Sequence, residues 1–139
     1  MTSATVTAGA IHVAIKCDQD IILARQKGRE MAVHLGFSAV DATLIATAIS
    51  ELARNILAYA RRGEITLEPI QDSSHKGISV VSLDDGPGIA DINRAMRDGF
   101  STSGSLGLGL PGVRRLMDDF EIASRLGEGT KVVVRKWKR

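Results

Sequence analysis

Glu51 and Asn55 stand four residues apart in an apolar run with helical spacing. Asp84-Asp85-Gly86-Pro87-Gly88 closes a strand-like run, Gly107-Leu108-Gly109-Leu110 opens a helix-like one, and Gly129-Thr130 precedes a last strand-like stretch. In that order the motifs offer a carboxylate, an amide able to ligate a metal, a backbone that can approach a flat base, and a glycine loop that can face phosphate. Each is weak alone. The ordered set points to an ATP site.

The helix carries the first pair. Ile45, Ile49, Leu52 and Ile56 form an apolar stripe, and at 3.6 residues per turn Thr47, Glu51 and Asn55 form a second stripe beside it. A carboxylate suited to general-base work and an amide oxygen suited to Mg²⁺ thus point the same way. On the helix alone, a solvated polar stripe explains the pattern more readily. Asp84 at a strand end can accept a hydrogen bond from an adenine amino group, with Gly86 and Gly88 letting the backbone come close. An ordinary turn is an equal reading there, because Asp-Gly and Pro-Gly both form turns.

Gly107 to Gly112 fits G-x-G-x-x-G, and with Val113 and the run Val13-Ala14-Ile15-Lys16 it imitates the signatures of eukaryotic-type protein kinases. That reading fails: the lysine precedes the glycine loop, and neither a His-Arg-Asp nor an Asp-Phe-Gly run exists. A dinucleotide fold fails as well, since no strand directly precedes Gly107. What remains is a set of glycines at a helix N-terminus, where free N–H groups favour phosphate.

The elements that must position these residues follow from periodicity. Ala10–Lys16 reads as a strand, and Asp18 as the N-cap of a helix to about His34, with Gly36 just beyond. Ser38 and Asp41 start a helix to about Tyr59. Strands are predicted over Ile65–Ile70 and Ile78–Leu83, around a polar hairpin loop from Gln71 to Gly77. Ala90–Phe100 is predicted helical and Ser101–Leu106 a mobile loop. Pro111 lies in the first turn of a helix ending near Asp119. Phe120–Arg125 and Lys131–Trp137 are strands around a tight turn. The order β-α-α-β-β-α-α-β-β implies an α/β two-layer sandwich, a mixed β-sheet with helices on one face.

At 139 residues the chain is expected to be a single domain, 1–139. A net charge of +2 with one Trp and one Tyr gives no footing for nucleic acid. No apolar run is long enough to span a bilayer, and Met1–Ala10 does not read as a signal peptide. Cys17 is the only cysteine, which suits a reducing cytoplasm and a buried, inert thiol. His12, His34 and His75 do not have metal-ligand spacing. Lys131, Arg135, Lys136, Lys138 and Arg139 read as a solvated strand face.

The series Glu51-x-x-x-Asn55, Asp84-x-Gly86-x-Gly88, Gly107-x-Gly109 and Gly129-Thr130 resembles the Bergerat-fold (GHKL) ATPases over nearly the whole chain. That group includes gyrase B, the heat-shock chaperone ATPase, sensor histidine kinases and MutL. Gyrase, chaperone and mismatch-repair machines need further domains, and a sensor histidine kinase needs a histidine in a helical hairpin. The run Ser50-Glu51-Leu52-Ala53-Arg54-Asn55, the stretch from Phe100 to Val113, and the ending from Gly129-Thr130 to Lys136-Trp137 look closest to the RsbT-type serine kinases of bacterial partner-switching (stressosome) systems.

The resemblance implies an ATP- and Mg²⁺-dependent protein-serine/threonine kinase acting on a small STAS-domain protein in the cytoplasm. Glu51 would be the base, Asn55 the Mg²⁺ ligand and Asp84 the reader of adenine. Gly86 and Gly88 would line the base pocket, and Thr130 would support it. Ser101 to Leu110 would form a lid, with Ser101, Thr102, Gly104, Gly107, Leu108 and Gly109 toward the nucleotide. A serine phosphatase activated by binding and a homodimer are further partners it allows, without nucleic acid or membrane. Two alternatives stay open: an anti-sigma factor that sequesters a sigma factor, like SpoIIAB, and an ATP-gated interaction module without turnover. The sigma-binding subtype tends to carry an arginine in the lid. Here none occurs between Ser101 and Leu110, which leaves the γ-phosphate without an assigned cation.

Overall fold

A computed structural model of the chain describes residues 4–7, 9–89, 96 and 109–139. Its elements are β1 (Ala4–Thr7), β2 (Ala10–Ile15), α1 (Asp18–His34), α2 (Ala39–Tyr59), β3 (Gly63–Gln71), β4 (Lys76–Asp84), α3 (Gly109–Leu116), β5 (Asp119–Arg125) and β6 (Gly129–Trp137). The six strands form one sheet in the order β1-β2-β3-β4-β6-β5. The helices cover one face, and the core between the layers contains Val13, Ile15, Ile65, Leu67, Ile78, Val80, Val132 and Val134 from the sheet.

The α2 sequence is free of glycine and proline and rich in alanine, so nothing interrupts it. Ser38 Oγ accepts the Asp41 N–H at 3.1 Å and caps its start. The expected stripe Ile45, Ile49, Leu52 and Ile56 is fully buried, and each such side chain contributes roughly 1.5–3 kcal/mol over exposure. Beyond that stripe, Ala42, Ala46, Ala48, Ser50, Glu51 and Ala53 are buried too. Small side chains let α1, the sheet and α3 close around this one helix.

The two-layer α/β class is as expected, with helices on one face. Within it, every strand pairing among the described residues is antiparallel, where a mixed sheet was expected. The reason is the count of helices between strands. The pair α1 and α2 returns the chain to the end of the sheet that β2 left, so β3 runs opposite to β2. Of the other four neighbouring pairs, β1–β2, β3–β4 and β5–β6 are hairpins, and β4–β6 is a non-sequential antiparallel pair. β5 runs in the same direction as β4, but β6 lies between them.

Other expectations need correcting. β1 was not foreseen; it adds to the edge of β2 with Thr5 opposite His12. The N-cap of α1 is Cys17 rather than Asp18, and Asp20 Oδ2 accepts from the Lys16 and Cys17 N–H groups at 2.8 and 3.2 Å. The Cys17 thiol is exposed, not buried. β3 and β4 are longer than expected, because Asp72 Oδ1 takes the Ser74 and His75 N–H groups at 2.8 and 2.6 Å and closes a short turn. The helix expected over Ala90–Phe100, Met96 apart, and the loop expected over Ser101–Leu106 lie outside the described residues. Among the described residues no helix is long and apolar enough to cross a membrane.

The basic stretch of β6 is tied down rather than solvated throughout. Arg135 pairs with Glu121 at 3.1 Å. Lys136 Nζ donates to Leu116 O at the end of α3, at 2.9 Å, which suits a helix C-terminus. Asp118 accepts from Trp137 N at 2.7 Å and Arg139 Nη2 at 2.9 Å. Burial alone would raise the Asp118 carboxyl, but the Trp137 N–H and the Lys136 and Arg139 charges outweigh it and hold the carboxyl below its ordinary 3.8. A lowered folded-state value means this contribution is complete above 3.8 and is lost as pH falls through the folded value. Asp118→Ala is therefore expected to destabilise by about 1–3 kcal/mol at neutral pH. Urea melts at descending pH would show wild type losing this advantage below its ordinary carboxylate range; a constant difference between the two proteins down to pH 2 would contradict the assignment.

Candidate functional site

One transverse row of the sheet gathers residues from four elements. Asp84 stands opposite Gly63 on β3 and Thr130 on β6, and Thr130 stands opposite Ser124 on β5. The row faces the helices: a Cβ built on Gly63 would lie 2.9 Å from Ile56 Cγ2 of α2 and 3.1 Å from Asp84 Cβ. Asp84 is the last residue of β4 rather than the first beyond it. Its Oδ1 accepts the Gly86 N–H at 3.0 Å, turning the chain so that Gly86 lies against Ala60 at the end of α2. Gly88 lies against the Arg125 backbone with φ 78°. Both glycines thus stand at the row's end.

Ser124 was missed, although it shares the alternation of Phe120 and Ile122 and faces Thr130. Its hydroxyl has three partners: Ile89 N donates to it at 2.7 Å, Gly129 O lies at 3.0 Å, and Thr130 Oγ1 at 2.8 Å. The Gly129 carbonyl can only accept. With the Ser124 hydrogen placed there, Thr130 donates to Ser124 and retains its lone pairs. Asp84 and Thr130 then present acceptors side by side, which suits an amino group on a ligand. A pocket of about 400 Å³ adjoins the row, lined by Asp84, Ser124 and Thr130 and, from the other face of the sheet, by Leu83, Ala123 and Lys131.

The other half of the site lies along α2. Glu51 is 7 % exposed, so the solvated-stripe reading does not hold for it. Its Oε1 accepts Arg54 Nη1 at 2.6 Å, and its Oε2 faces the Gly109 N–H, at the start of α3, at 3.5 Å. Asn55, one turn along, is half-buried, and its side chain makes no hydrogen bond among the described residues. A half-buried amide oxygen with no hydrogen-bond partner among the described residues fits a hard cation that keeps waters and phosphate oxygens as its remaining ligands. That the described residues contain no cluster of three metal-ligating side chains is compatible with such a site. From Glu51 to Ala60, beside Gly86, α2 rises about 13 Å at 1.5 Å per residue, a span suited to an extended nucleoside triphosphate. Of the glycine-loop residues, Gly109 is brought to Glu51. Ser101, Thr102, Gly104, Gly107 and Leu108 lie outside the described residues.

The pattern of the histidine kinase-like ATPase domain matches residues 13–136. The chain is 54 % identical over 127 residues to the serine/threonine-protein kinase RsbT of Bacillus subtilis (strain 168), covering 91 % of this chain and 96 % of that protein. It is 32 % identical over 97 residues to the anti-sigma F factor of Thermoanaerobacter sp. (strain X514), covering 67 % of this chain and 68 % of that one. Among solved structures, the mycobacterial sensor histidine kinase MprB superposes with a TM-score of 0.57 at 17 % identity, covering 92 % of this chain and 98 % of that one. At that identity the likeness is one of fold.

Two glycines of the β5–β6 turn separate close packing from backbone preference. Gly127 and Gly129 have φ 80° and 86°, but a Cβ on Gly127 meets nothing within 4 Å, whereas one on Gly129 would lie 2.1 Å from Asp84 O. Gly127→Ala is expected to cost about 1 kcal/mol, the left-handed strain alone. Gly129→Ala should cost clearly more, because it pushes the Asp84 backbone out of the row. Thermal melts giving equal losses would show that Gly129 and Asp84 are not packed this closely.

Proposed function

Because this chain belongs to the histidine kinase-like ATPase domain family, and is a serine/threonine-protein kinase of that family by its likeness to RsbT, we propose that it transfers the γ-phosphate of ATP, with Mg²⁺, to a serine of a small STAS-domain partner in bacterial partner switching. Residues 1–139 act in this reading as one ATP-binding domain in the cytoplasm. The observation that carries it is Glu51: a buried carboxylate held at the start of α3, one helical turn from Asn55.

In this reading Asp84 and Thr130 take the adenine amino edge, and Gly86 and Gly88 let the base lie against the backbone. The free N–H groups at the start of α3 receive phosphate, together with the glycine loop and Ser101, Thr102, Gly104, Gly107 and Leu108. Asn55 would hold the Mg²⁺, whose charge offsets that of the phosphate oxygens. Glu51 takes the proton of the partner's serine hydroxyl. The serine oxygen bonds to the γ-phosphorus as the bond to the β–γ bridging oxygen breaks, and ADP leaves with that electron pair. Positioning and charge neutralisation account for most of the acceleration, since little covalent chemistry falls to the protein. A serine phosphatase activated by binding and a homodimer complete the set of partners proposed.

A second reading has its own support in the likeness to an anti-sigma F factor: sequestration of a sigma factor. Labelled ATP incubated with the protein and candidate STAS proteins separates the two. Label on a STAS serine supports the kinase; no label on any STAS protein together with capture of a sigma factor replaces it.

Glu51→Ala is expected to bind ATP at least as tightly as wild type does yet to phosphorylate about 10²- to 10⁴-fold more slowly, the usual cost of losing a general base. Unchanged turnover would remove Glu51 from that role. Asp84→Asn exchanges an ionised acceptor for an amide and should weaken ATP binding by roughly 1.5–3 kcal/mol. Calorimetry finding the affinity unchanged would take Asp84 out of the base pocket.

A further inference from the structure

The stretch from Ser101 to Leu110 lacks arginine and lysine, yet a guanidinium stands beside the proposed base. Arg54 Nη1 is 2.6 Å from Glu51 Oε1, with the Arg54 side chain 46 % exposed and that of Glu51 9 %. The same carboxylate reaches the Gly109 N–H with its other oxygen. One carboxylate width therefore separates the guanidinium from the start of α3. Glu51 occupies the two donors that a terminal phosphate would seek, a helix N-terminal N–H and an arginine. The Arg54 bond takes up part of the accepting capacity of Oε1, so in this arrangement the carboxylate meets a substrate hydroxyl already paired with a cation.

Resting on the kinase reading above, we propose that Arg54 binds the terminal phosphate of ATP in place of the missing lid arginine, and that this draws it away from Glu51 and releases the carboxylate. A dianionic phosphate group competes well for these donors, because it carries more charge than a carboxylate and offers a guanidinium paired oxygens. The exposed side of Arg54 gives it the freedom to move; the buried side of Glu51 keeps the carboxylate in place once released. Arg54 would then sense the third phosphate: ADP leaves the Glu51–Arg54 pair closed, and ATP opens it.

The test is calorimetry with ADP and with the non-hydrolysable triphosphate AMP-PNP, each with Mg²⁺, on wild type, Arg54→Ala and Arg54→Lys. Wild type is expected to prefer the triphosphate. Arg54→Ala should lose at least about tenfold in AMP-PNP affinity, roughly 1.4 kcal/mol, while ADP affinity stays within about twofold. Arg54→Lys, which keeps a point charge without the fork, should recover part of the loss. The double variant Glu51→Gln/Arg54→Ala guards against a stranded carboxylate repelling phosphate. It should remain as poor in triphosphate preference as Arg54→Ala, and a return to wild-type preference would overturn direct contact. An Arg54→Ala protein that retains the preference, or a wild type that has none, overturns the proposal while leaving the ATP reading intact. A wild type that binds neither nucleotide overturns that reading and this proposal with it.

Discussion

The structure depends on a carboxylate being kept in the largely apolar packing around α2. α2 is buried along most of its circumference, yet Glu51 lies in that buried stretch. A carboxylate withdrawn from water without partners would cost several kcal/mol. Two donors make it tolerable: Arg54 from the same helix and Gly109 from the start of α3. The i to i+3 pairing on one helix face is a modest interaction when solvated. Here it gains importance because its acidic member has so little access to water. The Gly109 N–H, which faces the other oxygen of Glu51, links the start of α3 to the helix that also carries Asn55.

A second constraint acts at the other end of α2. There the sheet presents Asp84 and Thr130, and the helix end meets Gly86. A single rigid helix thus spans from the carboxylate to the acceptor pair, and their separation is set by helical rise rather than by loops. Sites built on regular elements are held more precisely than those on loops. It is the reason a small domain can keep two distant chemical functions in register.

Much of this was legible in the sequence because it follows from period. Glu51 and Asn55 share a helix face by count, and Asp84 and Gly129-Thr130 mark strand ends by their turn chemistry. Residues whose roles depend on what lies opposite were not. Ser124 is an ordinary serine in an alternating strand until Thr130 is paired with it. Cys17 is a weak capping type and is accepted as one because Asp20 takes the adjacent backbone N–H groups. Arg54 reads as a surface cation until the burial of its neighbour is known. The direction of the sheet depended on counting two helices, not one, between β2 and β3. The four residues of β1 carry too little alternation to identify a strand that is held by its neighbour. The comparison with relatives adds the family and the kinase activity, which geometry alone does not supply.

The position of β6 between β4 and β5 has a consequence for how the chain acquires its site. Asp84 and Thr130 are adjacent in the sheet but far apart in sequence, with α3 and β5 between them. Closing so long a loop has an entropic cost that grows with its length and must be met before the contact forms. During synthesis, a ribosome-bound chain exposing everything through β5 would hold Glu51, Asn55 and Asp84 but would lack the second acceptor and the turn that presses on Asp84. In the proposed site, nucleotide rewards only a sheet into which β6 has already been inserted, so ATP would stabilise the finished domain over its half-built precursors.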